Sequence, residues 1–128
     1  MTADPIGPAT TARASLAAAL ARVDGLTAYP AAPDNPIEWD AFPRWALTNY
    51  TGGKLRNMAV HEYDALVILP AGYEPDTVAQ GDTVLDAVAR ELGRVGTVQT
   101  ADPVQLAFGP NQTPMPALRV RVVPRNQP

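Results

Sequence analysis

Fourteen prolines in a chain of 128 residues decide where regular helix cannot run. They gather near the start, in residues 30–43 and in residues 103–128. Proline fixes φ and lacks an N–H, so these stretches are predicted to be extended connections or sheet edges rather than helix interiors. The rest of the chain has the composition of a folded domain: 46% of residues are hydrophobic and 18% charged. The length fits one domain, which buries roughly two-thirds of its unfolded surface. Residues 1–9 read as a flexible leader, 10–124 as the domain and 125–128 as a tail.

Between the proline clusters the periodicities alternate. Residues 10–24 are helical in pattern, with Leu16, Leu20 and Val23 on one face beside Ala12 and Ala19, and with Arg13 and Arg22 pointing elsewhere. Gly25 is placed to end that helix in the left-handed conformation. Residues 26–29 read as a short strand leading into a long loop. Residues 42–50 alternate as a strand, with Phe42, Ala46, Thr48 and Tyr50 on one side and Trp45 and Leu47 on the other. A turn is expected at 51–54, where two glycines tolerate positive φ. A second strand spans 57–69, and its closing run Ala65-Leu66-Val67-Ile68-Leu69 is apolar on both faces. That pattern implies a central strand covered on both sides, or one covered by a neighbouring subunit. Residues 76–92 form the second helix, with Val78, Leu85, Val88 and Leu92 buried and a restart at Asp82 after Gly81. Val104, Leu106 and Phe108 mark a further strand, and Leu118, Val120 and Val122 the last. The fold class is therefore α+β: a mainly antiparallel sheet of four to five strands with two helices packed on one face.

The side-chain inventory is poor in reaction chemistry. There is no cysteine, so neither a disulfide nor a thiolate metal site exists. The one serine, Ser15, lies inside an alanine-rich helix, far from any nucleophile elbow. His61 is the single histidine, and strand alternation turns it away from Glu62. Gly52-Gly53-Lys54 lacks the spacing and the hydroxyl residue of a phosphate loop. Asp34, Glu38 and Asp40 lack the residue order of a calcium loop. No catalytic residue, cofactor or metal is expected. A net charge of −3 argues against wrapping nucleic acid, although an acidic chain can surround DNA without gripping it. No apolar run approaches the roughly 20 residues that span a bilayer, so no membrane partner is expected. The opening residues lack a secretory pattern, which implies a soluble cytosolic product. What remains are interface candidates. Trp39, Phe42 and Trp45 lie beside the proline-rich loop that contains Pro33. Pro110 and Met115 lie in the loop at 109–116, and Arg119 and Arg121 project from one face of the last strand. Each has a plain alternative: the aromatics cover one end of the core, and the arginines line a solvated face. The interface reading favours Trp and Arg because they are enriched at interface centres.

The order of these segments resembles a known family. A Leu16-x-x-x-Leu20 helix leads to Val23-Asp24-Gly25-Leu26-x-x-Tyr29-Pro30 and a proline-rich excursion. A strand pair then ends in His61-Glu62-Tyr63-Asp64-Ala65-Leu66-Val67-Ile68-Leu69-Pro70, a helix ends in Leu92-Gly93, and Pro116-Ala117-Leu118-Arg119-Val120-Arg121-Val122 closes the domain. The chain is similar in this order and length to the tail terminator, or tail-completion, proteins of siphophages, particularly those infecting actinobacteria. Nine Arg against one Lys also fit a GC-rich genome. The resemblance implies a structural virion protein assembled in the bacterial cytoplasm, a hexameric ring on the last ring of the tail tube. Its partners would be copies of itself, the major tail tube protein and the head-closure (stopper) protein, with genome DNA passing through unbound. The loops at 30–43 and 109–116 would make contacts between rings. Rival readings are another neck protein, a small α+β ligand-binding domain or enzyme using His61 and Glu62, and a regulatory partner protein such as an antitoxin.

Overall fold

The computed structural model describes residues 8–53, 56–70, 75–108 and 114–125. Helix α1 (Pro8–Ala21) starts two residues earlier than the periodicity indicates, because proline is tolerated in a first helical turn. It buries Ala12, Leu16, Ala19, Leu20 and Val23, the face that the spacing predicts. Gly25 follows at φ 91°, a conformation that costs glycine nothing and lets the chain reverse. Arg13 departs from the expectation: it is half-buried instead of facing away. Helix α2 (Pro75–Gly93) runs unbroken through Gly81, so the expected restart at Asp82 does not occur. Its Val88 and Leu92 are fully buried, with Val84 and Leu85 packed beside them. Val78 lies outside the described side chains.

Among the described residues five strands make one sheet in the order β1-β2-β3-β5-β4. Strand β1 (Thr27–Ala28) pairs in parallel with the start of β2 (Asp40–Gly53). Strands β3 (Arg56–Ile68), β5 (Met115–Pro124) and β4 (Gly96–Leu106) continue the sheet by antiparallel pairing. The sheet is therefore mainly antiparallel, and both helices pack on one face, as the α+β reading requires.

Several boundaries differ from the sequence pattern: β2 starts at Asp40 and β5 at Met115, each inside a segment expected to be a connection. The turn expected at 51–54 moves outward: β2 continues to Gly53, paired with Arg56, and the tip lies outside the described residues. Strand β4 starts at Gly96, eight residues before Val104. Its first half is an exposed edge with few apolar residues, so it carries no two-residue apolar rhythm to read. Arg125 is no loose tail. Its guanidinium donates to the carbonyls of Gly93 (3.1 Å) and Arg94 (3.4 Å), so a cation closes the C-terminal end of α2.

A bulge at Ala46 overturns the face assignment in β2. Trp45 lies opposite Tyr63, yet Leu47 lies opposite Glu62, so one extra residue sits in β2 and the alternation flips. Trp45 thus shares the helix side with Thr48, and Leu47 shares the other side with Phe42. Sequence alternation alone cannot see an inserted residue.

The sheet separates two apolar clusters. On the helix side Tyr63, Ala65, Val67, Leu118, Val120 and Val122 meet the buried faces of α1 and α2. On the other side Phe42, Leu66, Ile68, Leu106 and Ala117 are buried, with Tyr29, Phe108 and Met115 folded onto them. Phe42 and Phe108 meet edge to face, centroids 6.0 Å apart. The apolar run at the end of β3 is therefore central and covered on both sides, one of the two alternatives it allowed. Close approach at the far end of β4 demands a glycine, since a Cβ on Gly96 would stand 2.5 Å from the Val123 carbonyl oxygen.

Candidate functional site

Parts of the two proline-rich segments, residues 36–38 and 114–116, meet at one end of the sheet. Leu69 donates its N–H to the Pro116 carbonyl (2.9 Å), which ties the end of β3 to the start of β5. Beside this tie lies an open groove of about 420 Å³ lined by Pro36, Ile37, Glu38, Leu69, Pro114, Met115 and Pro116. Pro36, Ile37 and Glu38 lie in the connection before β2, whereas Pro114 leads into β5, which Met115 and Pro116 open.

A strained turn shapes the groove's rim. The Ile37 carbonyl accepts from Asp40 N–H (3.1 Å), and the buried Asp40 carboxylate accepts from Ile37 N–H (3.0 Å). Trp39, third residue of that turn, adopts φ 68°, a region that tryptophan rarely enters. Two backbone bonds hold it there: its N–H donates to Ile68 (2.6 Å), and its carbonyl accepts from Thr27 (3.0 Å). The turn leaves Ile37 with 64% of its surface exposed at the groove's edge. A strained residue held in place by its surroundings is typical of a functional surface. Ile37 was legible only as a lone aliphatic inside a polar, proline-rich loop, a weak signal.

The remaining interface candidates are dispersed. Phe42 is fully buried in the second cluster, so it supports the surface and does not belong to it. Met115 packs on that cluster and lines the groove. Pro33 is half-buried in the first loop, and Pro110 falls outside the described residues. Trp45 is 53% exposed at the opposite end of the sheet. Its indole N–H donates to the Thr48 hydroxyl (2.9 Å), which is 2.8 Å from His61 Nδ1.

Arg119 and Arg121 find carboxylates within their own chain. Arg119 grips Asp102, directly across on β4, through two bonds of 3.0 and 2.6 Å. Arg121 donates to Asp64, its cross-strand partner on β3, at 2.7 Å and lies 3.5 Å from Glu62. Arg44 approaches Asp64 from β2 at 4.0 Å. Hydrogen bonding to Arg119 holds the Asp102 carboxyl below the usual range, and the bond to Asp64 raises the already high pKa of Arg121. Register across three strands creates these pairs, and one strand's sequence does not contain it. The non-helical face thus grades from apolar at the groove end to charged towards the far end.

His61 and Glu62 do not converge. His61 is bonded on the Trp45–Thr48 side, whereas Glu62 faces Arg121 and accepts from Asn49 Nδ2 on the other. Among the described residues no group of three or more His, Asp or Glu is arranged to hold a metal, and no helix is long and apolar enough to cross a membrane. Compared with known proteins, the chain matches no family model and no curated sequence.

Proposed function

We propose that this chain is a structural subunit of a phage tail, a terminator that forms a ring on the tail tube and joins it to the head-closure protein. What carries the reading is the groove: residues 36–38 and 114–116, from the two segments expected to contact neighbours, come together around an exposed isoleucine on a strained turn. Local strain of that kind costs about 1–3 kcal/mol and is retained where a rigid, prominent shape serves binding. The order helix, short strand, strand pair, helix, strand pair supports the same reading, because the family resemblance was drawn on that order. In a ring, a net charge of −3 per subunit suits a passage through which DNA slides without being gripped. Six copies, a tube ring on one side and a stopper on the other make up the proposed assembly. The other neck proteins share these requirements and are the nearest alternative.

Deleting the gene from the genome that carries it tests the proposal. Electron microscopy should show overlong or headless tails, and normal virions would refute the reading. Complementation with Ile37→Asp should then fail although the purified variant melts as the parent does, because Ile37 is exposed and supports no core.

A further inference from the structure

Strand β3 pairs with β5 only between Tyr63 and Ile68, whereas its pairing with β2 continues out to Gly53 and Arg56. Beyond the reach of β5, which ends at Pro124, residues 49–53 and 56–60 are therefore a two-stranded arm extending past the five-stranded sheet, at the end opposite the groove. No third strand among the described residues flanks this arm on either side. A two-stranded ribbon alone is marginal in water, so the arm gains most from an added strand.

The free edges of the molecule are not alike. The edge at β4 carries the devices that discourage pairing: Pro103 and Asp102 in the strand and a register shift between Val98 and Thr100. The arm carries fewer of them: beside it lies the bulge at Ala46, and Arg56 is the one charge in its described strands. Residues 47–53, Leu-Thr-Asn-Tyr-Thr-Gly-Gly, contain no charge and no proline, and residues 57–60, Asn-Met-Ala-Val, contain none either. Such a stretch left at an edge is a template for another strand.

We infer that the arm is a self-assembly element, in which the outer edge of β2 in one copy pairs antiparallel with the outer edge of β3 in the next. The occupant is a second copy because each copy supplies both halves of the match. The two edges lie on opposite sides of one ribbon, run antiparallel, and together carry no proline and a single charge, Arg56. Pairing of unlike edges is heterologous, the contact type from which closed rings are built, whereas β2 against β2 would give only a twofold dimer. This rests on the ring-forming reading and names the contact by which such a ring would close.

The absence of native cysteine makes the test clean. Full-length Thr51→Cys and Asn57→Cys chains are purified separately, mixed at the highest soluble concentration and treated with a short bismaleimide. The mixed product should exceed either same-variant product several-fold. A Thr51–Thr51 product in excess overturns the head-to-tail contact, and so does cross-linking no stronger than that of a Thr97→Cys control on β4. Tyr50→Pro and Thr51→Pro supply an independent measurement, since successive N–H groups point alternately to β3 and outward. The variant that keeps the parent's thermal midpoint should lose the mixed cross-link, and its retention there overturns the inference. These measurements use no tail. They can therefore fail while tail length still responds to gene deletion, or succeed while it does not.

Discussion

The two faces of the sheet solve the same burial problem with different materials. On the helix side Tyr63, Ala65 and Val67 of β3 are covered by side chains from α1 and α2, so a continuous apolar layer forms. One residue out of step, Glu62, Asp64, Leu66 and Ile68 face the other way and are buried as well. Among the described residues no helix covers that second face. Phe42, Phe108 and Met115 pack together at its apolar end, and the ion pairs of Arg119 and Arg121 occupy its charged end. The comparison teaches that burial does not require a second layer: aromatic side chains at and beyond the strand ends, with paired long side chains, suffice. It also predicts where the faces behave alike and where they part.

They should be alike in their apolar centres. Phe42→Ala is expected to destabilise by about 3–5 kcal/mol and Leu16→Ala, its counterpart on the helix side, by about 2–5 kcal/mol, both read from urea unfolding. A loss below about 1 kcal/mol for Phe42→Ala would mean that the second face is no core, and the comparison would break.

They should part at the ion pairs. Arg121→Met leaves Asp64 and Glu62 buried without their main cation, at an expected cost of about 3 kcal/mol. Replacing Arg121 and Asp64 together by leucine should cost less than Arg121→Met alone, because one of the two buried carboxylates then leaves with its cation and only Glu62 is left without it. Equal costs in this comparison would show that Arg121 contributes packing and not charge. The closing end of the sheet offers a smaller test. Gly96→Ala brings a Cβ against the Val123 carbonyl, and the forced shift should cost about 1–3 kcal/mol in thermal or urea unfolding.

The helix side was the more legible face. The stripe of α1 follows from spacing, since Leu16 and Leu20 recur at the helical period and are both buried. The last strand likewise shows its alternation in Leu118, Val120 and Val122. The other face depends on register, which no single strand records. Asp64 and Arg121 are 57 residues apart and become partners only because β3 and β5 align. The bulge at Ala46 hid the true side of Trp45 and Leu47 for the same reason, and polar β4 residues hid half of that strand. At the groove, the proline loops were legible as candidates. Their meeting place and the exposure of Ile37 depend on the Trp39 turn, whose positive φ no local pattern announces.

The finest distinction between the ion pairs lies in their response to acid. Asp64 is buried, whereas Asp102 and Arg119 are both substantially exposed, so their bidentate pair is screened and should contribute less than about 1 kcal/mol. Arg119 lowers the Asp102 pKa in the folded state. A carboxylate with a depressed folded pKa adds stability above its unfolded value of about 3.9, and that stability fades as pH falls through the folded value. Asp102→Asn should therefore lower the urea midpoint slightly at neutral pH and leave it level with the parent in strong acid, where both side chains are neutral. Added salt should shrink the neutral-pH difference, since exposed charges are screened. A difference that survives acid and salt would mean that Asp102 acts through hydrogen-bond geometry instead of charge, and the contrast between the exposed and buried pairs would lose its electrostatic basis.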